Sequence, residues 1–328
     1  MQPLILIPPI KDYIWGGTKL REEFGKESSL ERLAESWELS CHKDGMSVIG
    51  NGSYAGRTLN EFLAENPQAL GKNCERFDDF PVLIKLIDAC DNLSVQVHPD
   101  NEYALRVEGE YGKTEMWYIV DCDENAELIY GFKEEISRDE FKKAIQENTL
   151  LEKVNRVKVH KGDVFFIKSG TLHAIGKGIL IAEIQQNSNT TYRVYDYGRV
   201  GADGKPRDLH IDKALDVTEL KPAQKQRVFA PVKLEGEFAG TVVTILADCD
   251  YFLTAKVELN DSCYEVDADE RSFSHLLVVD GCGELDCFGE KIVLSKGSSI
   301  FFPAGSGKFK IKGKCSIICT EINQTQYL

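Results

Sequence analysis

Apolar residues in this chain come in short runs separated by glycine and polar turn residues, and the runs recur along its whole length. Residues 80–89 are apolar apart from Lys85 and Asp88, which predicts a buried strand. Residues 92–98 follow with alternation: Leu93, Val95 and Val97 face one way, Gln96 and His98 the other. Further strands are expected over 36–40, 115–121, 126–131, 163–167 and 179–185, and residues 1–20 read as extended with a turn at Trp15-Gly16-Gly17. Helical spacing is rarer. It is expected at 30–34, at 59–63 behind a Thr58 cap, at 134–148 with Ser137 and Glu140 in capping positions, briefly after Leu150, and at 208–215. The polar segment 219–233, with Pro222 and Pro231, is the expected domain boundary. Beyond it strands are expected at 242–246, 252–257, 274–279, 291–294, 299–302, 308–311 and 316–320. Many short strands with few helices predict a mainly β protein, a sandwich or barrel with helical additions.

Composition narrows the setting. A length of 328 residues allows two domains, and 42% hydrophobic with 28% charged residues is ordinary for a globular protein. No apolar run approaches the roughly 20 residues of a membrane helix. The N-terminal residues lack a basic region followed by a long apolar core, and none of the ten cysteines forms a Cys-x-x-Cys pair. The expected location is the cytoplasm, with thiols reduced. A net charge of −14 argues against a general nucleic-acid binder, and it requires any pocket for an anionic substrate to be locally basic.

Three segments carry the candidate chemistry: Gln96-Val97-His98-Pro99-Asp100, Lys113-Thr114-Glu115-Met116-Trp117 and Gly170-Thr171-Leu172-His173-Ala174. Gln96 and His98 lie two apart on one strand face, and Pro99 holds His98 extended. Glu115 opens an aromatic strand with Lys113 on the same face, and His173 follows a glycine turn at the end of an apolar strand. Two neutral imidazoles and a carboxylate are the donors of a catalytic zinc site with an open position. Lys85, alone among apolar neighbours, needs a partner or a purpose unless its strand face is exposed. The polar, tyrosine-rich segment 185–199 reads as a binding loop, with Glu183, Arg193 and Arg199 as candidate substrate contacts; the alternative is a solvated loop with ordinary ion pairs. His42, His160, His210 and His275 lack comparable surroundings and read as structural or exposed.

Taken with Trp15-Gly16-Gly17, Glu35-Ser36-Trp37-Glu38, residues 80–85 and residues 192–199, these segments resemble the class I mannose-6-phosphate isomerases of the short bacterial type, members of the cupin superfamily. The resemblance is strong over residues 3–220 and architectural beyond them. It implies a mainly β fold of two cupin-like β-barrel (jelly-roll) domains with a small helical addition. Residues 1–225 would form the metal-binding domain, with a helical segment at about 133–155. Residues 226–328 would form a second cupin-like domain without metal ligands. The implied activity interconverts mannose 6-phosphate and fructose 6-phosphate through a cis-enediol.

By the same resemblance one zinc ion per chain is held by Gln96, His98, Glu115 and His173. Arg193 matches the catalytic arginine, Lys113 and Glu183 match polar residues of the active cleft, and Lys85, Arg199 and Trp15 are assigned to the substrate. Asn189 stands where larger members carry an aspartate, so no role is carried over to it. The implied partner is a small sugar phosphate, with neither nucleic acid nor membrane, in a monomer or homodimer. The proton-transferring group stays open among a zinc-bound hydroxide, Glu183, Lys113 and another side chain. Two rival readings also remain: another cupin metalloenzyme, such as a glucose-6-phosphate isomerase or an iron dioxygenase, and a sugar-binding regulator without turnover.

Overall fold

The structure is a computed structural model that describes residues 1–200, 204–224 and 227–324. The expected boundary between residues 225 and 226 lies outside the described residues. The fold is mainly β, with cupin-like jelly-roll sheets and a few short helices. A six-stranded sheet runs in the order Val164–Ile167, Glu115–Cys122, Ile179–Gln186, Val82–Ala89, Glu35–Leu39 and Ile10–Lys11. A five-stranded sheet runs Val154–Lys158, Glu127–Phe132, His173–Ala174, Val95–Val97 and Tyr192–Tyr195. The third, nine-stranded sheet is built mostly from residues after Val232.

Strand parity explains how the layers stack. Val82–Ala89 and Ile179–Gln186 are buried at every residue, so both faces of the six-stranded sheet are covered. Even-numbered Ile84, Leu86, Met116, Tyr118, Leu180 and Ile184 pack into one core with Leu277 and Phe301 of the third sheet and with Phe252 and Phe273, which immediately precede its strands. Odd-numbered Ile87, Trp117, Ile119 and Ile181 pack inward against Leu128, Val159 and Ile175 from the five-stranded side. The outer face of the five-stranded sheet is closed by Phe141, Ala144, Ile145, Ala214 and Leu215 from the helices Arg138–Gln146 and Ile211–Val217. Odd positions of the central strands therefore meet the inner space between two sheets, and polar residues placed there are enclosed.

The third sheet is not confined to the second half of the chain. Leu4–Ile7 pairs with Ser299–Phe302 (Leu4 opposite Phe301) and also with Val48–Ile49. Its strands are longer than the apolar runs suggest. The separate strands expected at 308–311 and 316–320 are one strand, Gly307–Glu321. Gly313 lies inside it because of a close approach: a Cβ there would stand 2.5 Å from the Cys282 carbonyl oxygen. Phe80, Phe273 and Phe301 stack with centroid spacings of 5.5 and 5.2 Å and tie residues of both halves into one core. Phe301→Ala should therefore lower stability by about 3–5 kcal/mol in denaturant unfolding. A loss below about 1 kcal/mol would mean that this core does not join the two halves.

Local expectations fare unevenly. The Thr58 and Ser137 capping boxes are present on the helices Leu59–Glu65 and Arg138–Gln146. No helix forms over residues 30–34. Leu33 N bonds Gly17 O and Ala34 N bonds Lys11 O, so this stretch is held extended with both side chains buried. An unexpected helix, Asn101–Val107, is capped by Asp100, whose side chain accepts from Tyr103 N. Among the described residues no helix is long and apolar enough to cross a membrane.

Candidate metal centre and active site

The inner faces of the two sheets bring the predicted residues together. On the five-stranded sheet His173 lies opposite Gln96, and Gln96 lies opposite Arg193. Residues directly opposite on neighbouring strands share a face, so these three form a row, each about 5 Å from the next. On the six-stranded sheet Trp117 lies opposite Glu183, Glu183 opposite Lys85, and Lys85 opposite Trp37. Lys113 and Glu115 precede Trp117 at the same parity.

His98, Glu115 and His173 meet between the sheets with their ligand atoms all within 4.8 Å of one another, every residue buried. Glu115 Oε1 is 3.4 Å from His173 Nε2, and Glu115 Oε2 is 3.7 Å from His98 Nε2. Backbone carbonyls set both rings. His98 Nδ1 contacts the Thr190 oxygen at 2.9 Å, and His173 Nδ1 contacts the Thr171 oxygen at 2.8 Å. A carbonyl only accepts, so each Nδ1 carries the hydrogen and each Nε2 turns a lone pair inward. Burial holds His98 well below the ordinary histidine range and takes His173 down to about 4, so both are neutral donors at physiological pH.

This donor set fits a divalent cation. Glu115 Oε1 and His173 Nε2 are buried without a hydrogen-bond partner among the described residues, a costly condition that a metal ion would remove. Two imidazoles and a carboxylate suit zinc, and other divalent metals accept the same donors. Gln96 stands beside His173 by register, half-buried, with Oε1 accepting from Ser94 Oγ at 3.3 Å. Its second lone pair could add a fourth donor. Among the described residues these three are the one group of His, Cys, Asp or Glu side chains close enough to share an ion.

Charges alternate along the opposite wall. Lys113 Nζ lies 2.8 Å from Glu115, 3.4 Å from Glu183 and 3.3 Å from His98 Nε2. Burial opposes its charge, but Glu115 and Glu183 outweigh burial and push Lys113 up, so it stays protonated. Burial also acts to raise Glu183, yet Lys113 and Lys85 prevail and hold it below the usual carboxylate range. Glu115, by contrast, is pushed up by burial and by the Glu183 charge, which a cation beside it would reverse. Lys85 is 3.9 Å from Glu183 and 3.5 Å from Glu35, whose carboxylate accepts from Trp37 Nε1 at 2.7 Å. The lone lysine of the apolar strand is thus buried and doubly paired.

A cavity of about 260 Å³ opens in front of this wall, lined among others by Trp15, Lys85, Gln96, Lys113, Glu183 and Arg193. Trp15 stacks on Tyr13 at its rim. Arg193 donates to Ser94 Oγ and to the Asp208 carbonyl, and its backbone is bracketed by His210. Arg199 stands apart: it pairs with Asp196 at 2.6 Å, also reaches the Asn92 carbonyl, and does not line the cavity. Among the lining residues not singled out in the sequence are Glu35, Tyr13 and Arg207. Glu35 shares the parity of Trp37 on its strand, and Tyr13 lies two before Trp15, so spacing could have found both. Arg207 follows the polar loop, where no periodicity points to it. His42 and His275 are buried in polar contacts and His160 is exposed.

Comparison with known proteins agrees with this arrangement. Residues 4–147 match the phosphomannose isomerase type I catalytic domain, and residues 241–322 match the mannose-6-phosphate isomerase cupin domain. The chain is 39% identical to the mannose-6-phosphate isomerase ManA of Bacillus subtilis, across 98% of this chain and 99% of that protein. It is 38% identical to the mannose-6-phosphate isomerase of Streptococcus mutans, again across 98% and 99%. The crystal structure of a mannose 6-phosphate isomerase from Bacillus subtilis superposes with a TM-score of 0.91 at 38% identity, covering 98% of this chain and 99% of that one. Near-complete coverage at this identity, with one shared fold, places the chain in the mannose-6-phosphate isomerase family of enzymes.

Proposed function

We propose that this chain is a zinc-dependent aldose–ketose isomerase that interconverts mannose 6-phosphate and fructose 6-phosphate through a cis-enediol. The observation that carries the metal is the meeting of His98, Glu115 and His173 within 4.8 Å, with Glu115 Oε1 and His173 Nε2 buried and without a hydrogen-bond partner among the described residues. Gln96 would complete the ligand set, with one ion per chain. Zinc held there would supply a Lewis acid to the C1 and C2 oxygens of the sugar, where negative charge develops.

The remaining work falls to residues around the cavity. Glu183 is ionised and lines the cavity; its Oε1 faces Lys113 and Lys85 across ion pairs of 3.4 and 3.9 Å but accepts no hydrogen bond among the described residues, which leaves a lone pair to take a proton. In the proposed step Glu183 removes the C2 proton of mannose 6-phosphate. The C2–H electron pair forms the C1–C2 double bond of the enediol as the C1 carbonyl π pair moves onto O1, which takes up a proton. O2 then gives up its proton as the C2 carbonyl forms, and the C1–C2 π pair takes the proton back from Glu183 at C1, giving the ketose. Lys113, kept protonated by its two carboxylates, and Arg193 offset charge on the sugar oxygens. Lys85 holds Glu183 ionised, and Trp15 offers a flat apolar wall for the sugar. Four cations, Lys85, Lys113, Arg193 and Arg207, line this cavity and make it locally basic in a chain of net charge −14. A cytoplasmic protein with a small-molecule partner, as monomer or homodimer, suits this reading.

Zinc binding can be tested without turnover. Adding zinc to metal-free protein should raise its melting temperature with saturation near one ion per chain, because an ion that binds only the folded state stabilises it by mass action. Gln96→Ala should weaken that response, and a melting temperature indifferent to zinc would contradict the metal assignment.

A further inference from the structure

Resting on that reading, we propose that Arg207 receives the phosphoryl group of the substrate, and that Asp196, braced from behind by Arg199, positions it. No sequence pattern singles out Arg207, and the arginine assigned to the substrate by resemblance was Arg199.

The geometry separates the two arginines. Asp196 is buried and sits between them. Arg207 presents Nε to Asp196 Oδ2 at 2.8 Å and Nη2 to Oδ1 at 2.5 Å, a two-point grip that fixes the guanidinium plane. Arg199 takes Asp196 Oδ1 at 2.6 Å, faces Asp91 at 3.7 Å and lies over the Tyr197 ring. Only Arg207 of this pair lines the cavity. Among the described residues its Nη1 has no protein partner, so one edge of a pre-oriented fork is left for a ligand. Arg193 is similar: Nε and Nη1 are engaged, and Nη2 has no partner among the described residues.

Arg193 and Arg207 therefore face one cavity with unused donors, and each guanidinium feels the other. Arg193 is held below its ordinary range by burial and then by Arg207. An anion between them would satisfy both, and a phosphoryl dianion offers the matching planar, multi-acceptor face. The direction along the sheet agrees. The row His173, Gln96, Arg193 leads away from the metal-type donors one strand at a time. A sugar with its C1 end at His173 and Glu115 would extend its phosphate toward Arg193 and Arg207.

The test compares Arg207→Ala with Arg199→Ala, both loaded with zinc. Loss of a charge-assisted contact should raise the KM for mannose 6-phosphate about tenfold or more in Arg207→Ala, with kcat within about threefold. Arg199→Ala should raise KM less, and Arg207→Lys should fall between Arg207→Ala and the unaltered protein. Quenching of tryptophan fluorescence by inorganic phosphate, with Trp15 at the cavity as reporter, should weaken in Arg207→Ala in step with KM. An unchanged KM, a larger effect in Arg199→Ala, or a matching loss of zinc and fold in Arg207→Ala would overturn the proposal. If the unaltered protein isomerises nothing while phosphate binding still depends on Arg207, the isomerase reading falls and the anion site stands.

Discussion

His173→Ala should fold, fail to retain a divalent metal and lose turnover by about 1,000-fold, the rate equivalent of roughly 4 kcal/mol of charge stabilisation. The side chain is fully buried, its Nδ1 is committed to the Thr171 carbonyl, and its Nε2 has no described partner except across the space shared with Glu115. Removing it deletes a donor and also an unsatisfied buried nitrogen, so the fold gains as well as loses. His173→Gln, which refills part of the volume, separates packing from metal binding: it should melt closer to the unaltered protein and still be inactive. Metal content by mass spectrometry, read beside the melting temperature, decides the matter. Full activity with metal retained in either variant would remove His173 from the site.

Glu183→Gln should act differently, lowering kcat by about 100- to 10,000-fold while metal content stays near that of the unaltered protein. Glu183 is not among the three clustered donors, so the ion does not depend on it. Its charge is held by Lys113 and Lys85 at 3.4 and 3.9 Å, and an amide of the same shape keeps the packing but cannot take a proton. The same substitution leaves the two buried lysines with one carboxylate fewer, so some loss of stability is expected along with the lost rate. A variant with ordinary kcat would assign proton transfer to another group. A variant that loses metal would make Glu183 part of the ion's surroundings rather than the base.

Much of this site was legible in the chain because strands have a period of two. Gln96 and His98, then Lys113, Glu115 and Trp117, share faces by spacing alone, and the glycine turn before His173 ends its run at the sheet interior. Lys85 was visible as an anomaly, and the register explains it by placing Lys85 opposite Glu183. Long-range pairing was not legible. Nothing local to Leu4–Ile7 says that it joins a sheet made from the last hundred residues. The helix expected at 30–34 gave way to tertiary hydrogen bonds that Leu33 and Ala34 donate to the Gly17 and Lys11 carbonyls, which outweigh a weak propensity. The carbonyls of Thr171 and Thr190, which select the histidine tautomers, have no side-chain signature at all. Arg207 reaches the cavity through an ion pair with Asp196, and its selection depends on tertiary geometry rather than pattern.

The proposed isomerisation depends on a metal at the His98, Glu115 and His173 cluster. Its most direct test is coupled detection of fructose 6-phosphate formed from mannose 6-phosphate by the purified protein, measured before chelation, after chelation and after zinc is restored. Activity should disappear with the metal and return with zinc. Activity that persists at full rate in protein shown to be metal-free would contradict it.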